Sequence, residues 1–170
     1  KIETNQLFKE AISREVSRGG QCFIVQNNIG KMNSLKNMLT ELLPNTNVAI
    51  AHGKLKKDEI SKVMRNFDAG LLDVLICTTI VEMGLDIPNA NTIMIIDSQN
   101  FGLSQLHQLR GRIGRSGKDA FCLLVYSSSI SDTGKRRLKI MKESNDGFYI
   151  SEEDLKLRGF GDIIGYKQSG

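Results

Sequence analysis

The sequence predicts an α/β fold, a parallel sheet covered by helices on both faces. Three observations lead there. Five short apolar runs, 22–25, 48–51, 74–77, 93–96 and 121–125, are each flanked by turn residues, and their lack of polar alternation marks strands buried on both sides. Stretches with apolar residues at helical spacing separate the first runs, the mark of βαβ units. Polar clusters follow one strand after another: Gln26-Asn27-Asn28, His52-Gly53, Thr78-Thr79 and Asp97. In an open parallel sheet this carboxyl edge is where ligands bind.

Each element has its own reason. Residues 3–18 read as an amphipathic helix with Leu7, Ala11, Ile12 and Val16 on one side and charges on the other, stopped by Gly19-Gly20. Met32, Leu35, Met38, Leu39 and Leu42 give a second helix over 32–43, closed by Pro44. Ile60, Val63, Met64 and Phe67 give a third over 56–68. A fourth begins near Ser104. Composition changes near residue 128, where Ser127-Ser128-Ser129 precedes a basic helix, Lys135 to Lys139. Ser151 then caps a short helix whose first turn is Glu152-Glu153-Asp154. Residues 158–170 read as a Gly-rich loop. Two units are expected, 1–128 and 129–170.

At 170 residues the chain is long enough for one core, and 40% hydrophobic with 25% charged residues is ordinary for a globular domain. The net charge of +4 permits an anionic partner. Cys22, Cys77 and Cys122 lie far apart in apolar runs, as core residues of a reducing, cytoplasmic setting and not as a disulfide or zinc framework. His52 and His107 have no Cys or His at ligand spacing, so no metal site is expected. No apolar run approaches the ~20 residues of a membrane span. The chain begins at Lys1, as a piece of a longer protein would.

The most informative stretch is 104–116. Leu106, Leu109 and Ile113 form an apolar stripe, while Gln105, Gln108, Arg112 and Arg115 share a neighbouring face. No Asp or Glu stands between Asp97 and Asp119 to neutralise the arginines. Each glycine inside a helix costs about 1 kcal/mol relative to alanine, so Gly111 and Gly114 mark either a close approach or the helix end. Forked cations on such a segment suit a polyphosphate or a phosphoryl transition state.

The run Thr78 to Pro88 is second. Thr79 and Glu82 fit a capping box, and Thr79 with free helix-start amides also fits a phosphate. Asp86, after Gly84, is either a turn residue before Pro88 or a partner for a ribose hydroxyl or an arginine. Taken alone, Asn27 and His52-Gly53 read as strand-ending turns, Arg137 as a solvated charge, and Arg158 as a surface partner of Asp154 or Glu153. The chain has no Gly-x-x-x-x-Gly-Lys-Ser/Thr phosphate loop and no Asp-Glu pair at a strand end for magnesium. It holds no complete ATP site.

Together, Thr78 to Pro88 and Gln108 to Arg115 resemble the fifth and sixth motifs of superfamily 2 helicases and translocases, in their second RecA-like domain. The tail narrows the resemblance. Lys135-Arg136-Arg137-Leu138, Asp146-Gly147-Phe148, Asp154 to Gly161, and Gln168-Ser169-Gly170 are similar to the translocation motif shared by the transcription-repair coupling factors and the RecG fork-remodelling helicases. The opening, Glu10 to Gln21, and the run Ile80 to Thr92 favour the coupling factors. The resemblance covers essentially the whole chain and implies a motor on double-stranded DNA that displaces stalled RNA polymerase and recruits excision repair. It implies ATP and Mg2+ held mainly by a first motor domain in the same protein. By position, Arg112 and Arg115 become transition-state arginines, and Gly84, Asp86 and Gln108 line the nucleotide cleft. Asn27, His52, Gly53 and Thr79 contact the DNA backbone. Arg137, Arg158 and Gln168 couple hydrolysis to movement. The sequence departs from the pattern at Gly30, Met83 and Phe160.

Overall fold

The computed structural model describes residues 2–78, 90–110, 120–126, 131–133, 135–136, 148–153 and 162–168. All five predicted strands form: β1 (Gln21–Val25), β2 (Val48–Ala51), β3 (Val74–Cys77), β4 (Ala90–Ile95) and β5 (Ala120–Tyr126). They run parallel in the order β2-β3-β1-β4-β5. The helices are α1 (Ile2–Ser17), α2 (Ile29–Leu42), α3 (Lys57–Asp68) and α4 (Leu103–Arg110). None among the described residues is long and apolar enough to cross a membrane.

Both faces of the sheet are covered, which is why β1, β3 and β4 are buried at every position. On one face Phe8, Ala11 and Ile12 of α1 and Met32 and Leu39 of α2 pack on Cys22, Ile24, Ile76 and Met94. On the other, Phe67 of α3 and Leu106 and Leu109 of α4 pack on Phe23, Leu75, Ile93 and Leu124. Each such side chain, fully buried, contributes about 1.5–3 kcal/mol. The three cysteines are buried thiols outside any disulfide. Burial pushes the Cys22 thiol up, helped by the Glu15 carboxylate, and pushes the Cys77 thiol up to about 12.

Helix α2 starts three residues earlier than its apolar spacing suggests. Asn28 is the reason: its side chain accepts the Lys31 N–H and caps the first turn. The tail departs further. Ser151, Glu152 and Glu153 do not open a helix but end a strand, β6 (Phe148–Glu153). Part of the expected loop is another strand, β7 (Asp162–Gln168). Strand β7 lies antiparallel on β5, and β6 antiparallel on β7, so the hairpin extends the sheet. The runs Phe148-Tyr149-Ile150 and Ile163-Ile164 carry the β-branched and aromatic residues that favour strands, and β5 offers them an open edge.

At the amino edge of the sheet, α1 is locked to the strands by a buried charge. Glu15 is fully buried and accepts from Arg18 Nε at 2.8 Å and Nη2 at 2.6 Å, and from the Thr92 hydroxyl of β4. The guanidiniums of Arg14 and Arg18 lie over the Phe121 ring of β5, 4.2 and 5.2 Å from its centre. Gln21 Nε2 donates to the carbonyls of Phe67 and Leu72, both at 2.7 Å, and ties β1 to the end of α3.

Candidate functional site

The carboxyl edge is built by strands that hold each other's ends. Gln26 N–H donates to the Cys77 carbonyl at 2.9 Å, Thr78 N–H to Ala51 at 3.3 Å, and Ile96 N–H to Val25 at 3.0 Å. These bonds carry the ladder one residue past each strand. They set His52, Thr78, Gln26-Asn27 and Asp97 in a row across β2, β3, β1 and β4. At about 4.8 Å per strand, His52 and Asn27 stand roughly 10 Å apart along it.

The sheet order puts the switch point between β1 and β4. The chain leaves β1 toward β2 on one side and leaves β4 toward β5 on the other. A cleft of about 470 Å³ opens there, lined by Gln26, Asn27, Asn28, Lys31, Ile96, Asp97, Asn100 and Phe101. Asp97 has φ 54°, in the left-handed region that Asp and Asn tolerate better than most residues. Its carboxylate lies 4.0 Å from the Lys31 ammonium. The first turn of α2 carries no acid, so the positive helix end faces the cleft without a carboxylate of its own.

His52 is half-buried, and its Nδ1 accepts the Lys54 N–H at 3.3 Å, which leaves Nε2 to carry the proton of the neutral ring. Gly53 is exposed, with nothing within 4 Å of where a Cβ would stand. Packing therefore does not require glycine there, and the backbone is open to an approaching ligand. Lys31, Lys54, Lys56 and Lys57 are exposed around this edge.

On α4, Leu106 and Leu109 are buried as their spacing predicts, and Gln108 is exposed. Gln105 is spent locally: its Oε1 accepts the Gly102 N–H at 2.9 Å and caps the helix. The structure thus brings Asn27, His52 and Gly53 to one edge. Gln168 lies in β7, in register with Ala120 and Phe148. Thr79, Gly84, Asp86, Arg112, Arg115, Arg137 and Arg158 lie outside the described residues. The sequence places Asn28 and Asp97 among the polar clusters of this edge without giving them a role, and Lys31 and Asn100 are not singled out there as site residues. The available signal was position, since Asp97 follows a buried strand just as Asn27 does.

The described residues hold no cluster of His, Cys, Asp or Glu that fits a metal ion.

A parallel sheet of this order, helices on both faces and a polar carboxyl edge define a RecA-like domain. The chain belongs to the helicase conserved C-terminal domain family, which matches residues 3–117. It is 44% identical over 169 residues to a transcription-repair-coupling factor of Buchnera aphidicola subsp. Acyrthosiphon pisum, covering 96% of this chain and 21% of that protein. It is 45% identical over 168 residues to the ATP-dependent DNA helicase RecG of Bacillus subtilis, covering 94% of this chain and 24% of that protein. The chain thus spans about a quarter or less of the length of these relatives. Among solved structures it is similar to RecG bound to a three-way DNA junction, with TM-score 0.71 and 37% identity over 84% of this chain and 19% of that one. The C-terminal domain of the DEAD-box protein Dbp5 shares the fold, with TM-score 0.62 at 19% identity over 85% of this chain and 79% of that one.

Proposed function

We propose that this chain is the second motor domain of an ATP-driven translocase on double-stranded DNA, working in transcription-coupled repair. One observation carries the reading. The likeness to the coupling factor and to RecG runs through 94–96% of the chain, past the 3–117 that the general helicase family covers. A tail shared with DNA motors favours DNA over RNA as the track. In this reading 1–128 is the motor unit and 129–170 the segment that couples it to movement.

The roles follow by position. Arg112 and Arg115 reach the ATP of the first motor domain as arginine fingers, and Gly84, Asp86 and Gln108 line the same cleft. Gln108 is exposed, as that role requires. Asn27, His52, Gly53 and Thr79 meet the DNA backbone, which the row along the carboxyl edge supports. Arg137, Arg158 and Gln168 transmit hydrolysis through the tail. ATP and Mg2+ are held mainly by the first domain, so residues 1–170 alone hydrolyse no ATP. RNA polymerase and excision-repair proteins are met through other regions of the cytoplasmic protein. Backbone contacts carry no sequence information, so binding is sequence-independent and weakens with salt. A second reading, a RecG-type fork-remodelling helicase, is favoured by the 45% identity to RecG.

The test is ATP hydrolysis by the protein carrying both motor domains, with and without duplex DNA, comparing Arg115→Ala with the native sequence. An arginine finger is worth about 10³–10⁵ in rate. Loss on that scale with nucleotide still bound is expected. Unchanged hydrolysis overturns the assignment. Displacement of a stalled RNA polymerase, against regression of a DNA fork, separates the two readings.

A further inference from the structure

We infer that the cleft between the ends of β1 and β4 is a nucleoside site: it takes the base and sugar of one nucleotide, not a phosphate. The inference rests on the nucleic-acid reading above and deepens it at one position.

The lining selects the ligand. Gln26 is only 5% exposed, yet it lines the cleft. Its Oε1 is committed to the Asn28 N–H at 3.0 Å, so any bond it offers a ligand comes from its Nε2 donor. Asn100 adds an exposed carboxamide. Carboxamides pair with the donor-acceptor edges of bases. The wall beneath them is apolar, made by Ile96 and the buried Phe101, and suits the flat face of a base. Asp97 can accept from a sugar hydroxyl or a base amino group. A volume of about 470 Å³ lies within the ~300–1,000 Å³ of small-ligand clefts.

The side-chain charges on the wall argue against a phosphate, although the amino end of α2 that faces the cleft is positive. Among the described residues the one cation on the wall is Lys31, which stands 4.0 Å from the Asp97 carboxylate, so this pair brings no net charge to the cleft. A phosphate entering here would meet Asp97 as a like charge. The exposed Lys54, Lys56 and Lys57 after β2, two strands along the edge, lie outside the cleft wall and suit the backbone instead. The two features divide the labour, with the sugar-phosphate chain on the lysine side and one unpaired base in the cleft.

The experiment uses the protein with both motor domains. Its affinity for a duplex carrying one unpaired 2-aminopurine is compared with that for the same duplex carrying an abasic site. A preference for the base of about fivefold or more is expected, the scale of one well-matched base contact. It should disappear in Asp97→Gly, which keeps the left-handed backbone, and in Asn100→Ala, at an exposed position. A second arm mixes free 2-aminopurine riboside with the DNA-free protein. Binding there that is lost in Asp97→Gly, without a preference in the DNA arm, keeps the nucleoside site and assigns it to a free nucleotide. Equal affinity for both duplexes together with no riboside binding overturns the inference. So does an Asp97→Asn variant that binds both duplexes more tightly to the same extent, the mark of a phosphate. In either case the DNA reading stands as long as the duplex is bound. Failure to bind either duplex sinks that reading itself.

Discussion

Replacing Gly20 by alanine tests the lock at the amino edge of the sheet. A Cβ at this position would stand 1.8 Å from Glu15 Oε2, 2.8 Å from its Cδ and 3.1 Å from Asn91 Nδ2. The first two distances are too short to survive, so the carboxylate must move. It has little freedom, because Glu15 is fully buried and held by Arg18 and Thr92. Uncoupling a buried ion pair costs about 3–5 kcal/mol. The Arg18 side chain is 27% exposed, so part of its charge can turn to water. That places the expected loss near the lower end, about 3 kcal/mol. Domains of this size are stable by about 5–15 kcal/mol, so the loss is a substantial fraction.

Urea unfolding reads it directly. With a slope of about 1–3 kcal/mol per molar, the midpoint should fall by about 1–3 M. The partner of the clash is identified by repeating Gly20→Ala in a Glu15→Ala background, where the methyl has space and should cost less than about 1 kcal/mol. A loss under 1 kcal/mol in the native background, or the same loss in both, would refute the lock as described.

Gln21→Ala strands two carbonyls, those of Phe67 and Leu72, and should cost about 2–3 kcal/mol by the same urea assay. The raised thiols predict a pH dependence with a definite sign. An unfolded thiol ionises near 9.0, while Cys77 in the fold stays neutral to about 12, so the unfolded state loses its proton first. Stability therefore falls as pH rises through that window, by at most about 1.4 kcal/mol per unit from Cys77, and the slope should flatten in Cys77→Ala. For the same reason iodoacetamide at pH 8.5 should modify Cys22 and Cys77 only after unfolding.

The five strands were legible because double burial removes polar alternation, and a short run such as Val74-Leu75-Ile76-Cys77 then has few other readings. The tail was not. Glu152-Glu153-Asp154 after Ser151 is good helix-start chemistry, but Ser151, Glu152 and Glu153 pair with β7, itself docked on the edge of β5, and that edge exists only once the sheet is built. The site divides in the same way. Asn27 and His52-Gly53 could be singled out from their place after buried runs. Asp97 and Lys31 meet only because β4 docks beside β1.

Glu15 is the sharpest case. Helical periodicity puts it among the charges of an amphipathic α1, whereas the structure buries it completely. Periodicity describes one helix and says nothing of Thr92 waiting across the sheet. The two adjacent glycines, readable only as a stop, have separate causes: Gly19 turns the chain with φ 81°, and Gly20 makes room for the carboxylate. The lock also bears on the opposite edge. The β1–β4 pairing shifts at Asn91, from Gln21 opposite Ala90 to Cys22 opposite Thr92. Glu15 grips Thr92 just past that irregularity. A slip of one residue there would move Asp97 away from Lys31 and turn β4 inside out. A buried charge at one end of two strands thus fixes the cleft at the other. The structural residues of the opening run are therefore prerequisites for the site, although none of them touches it.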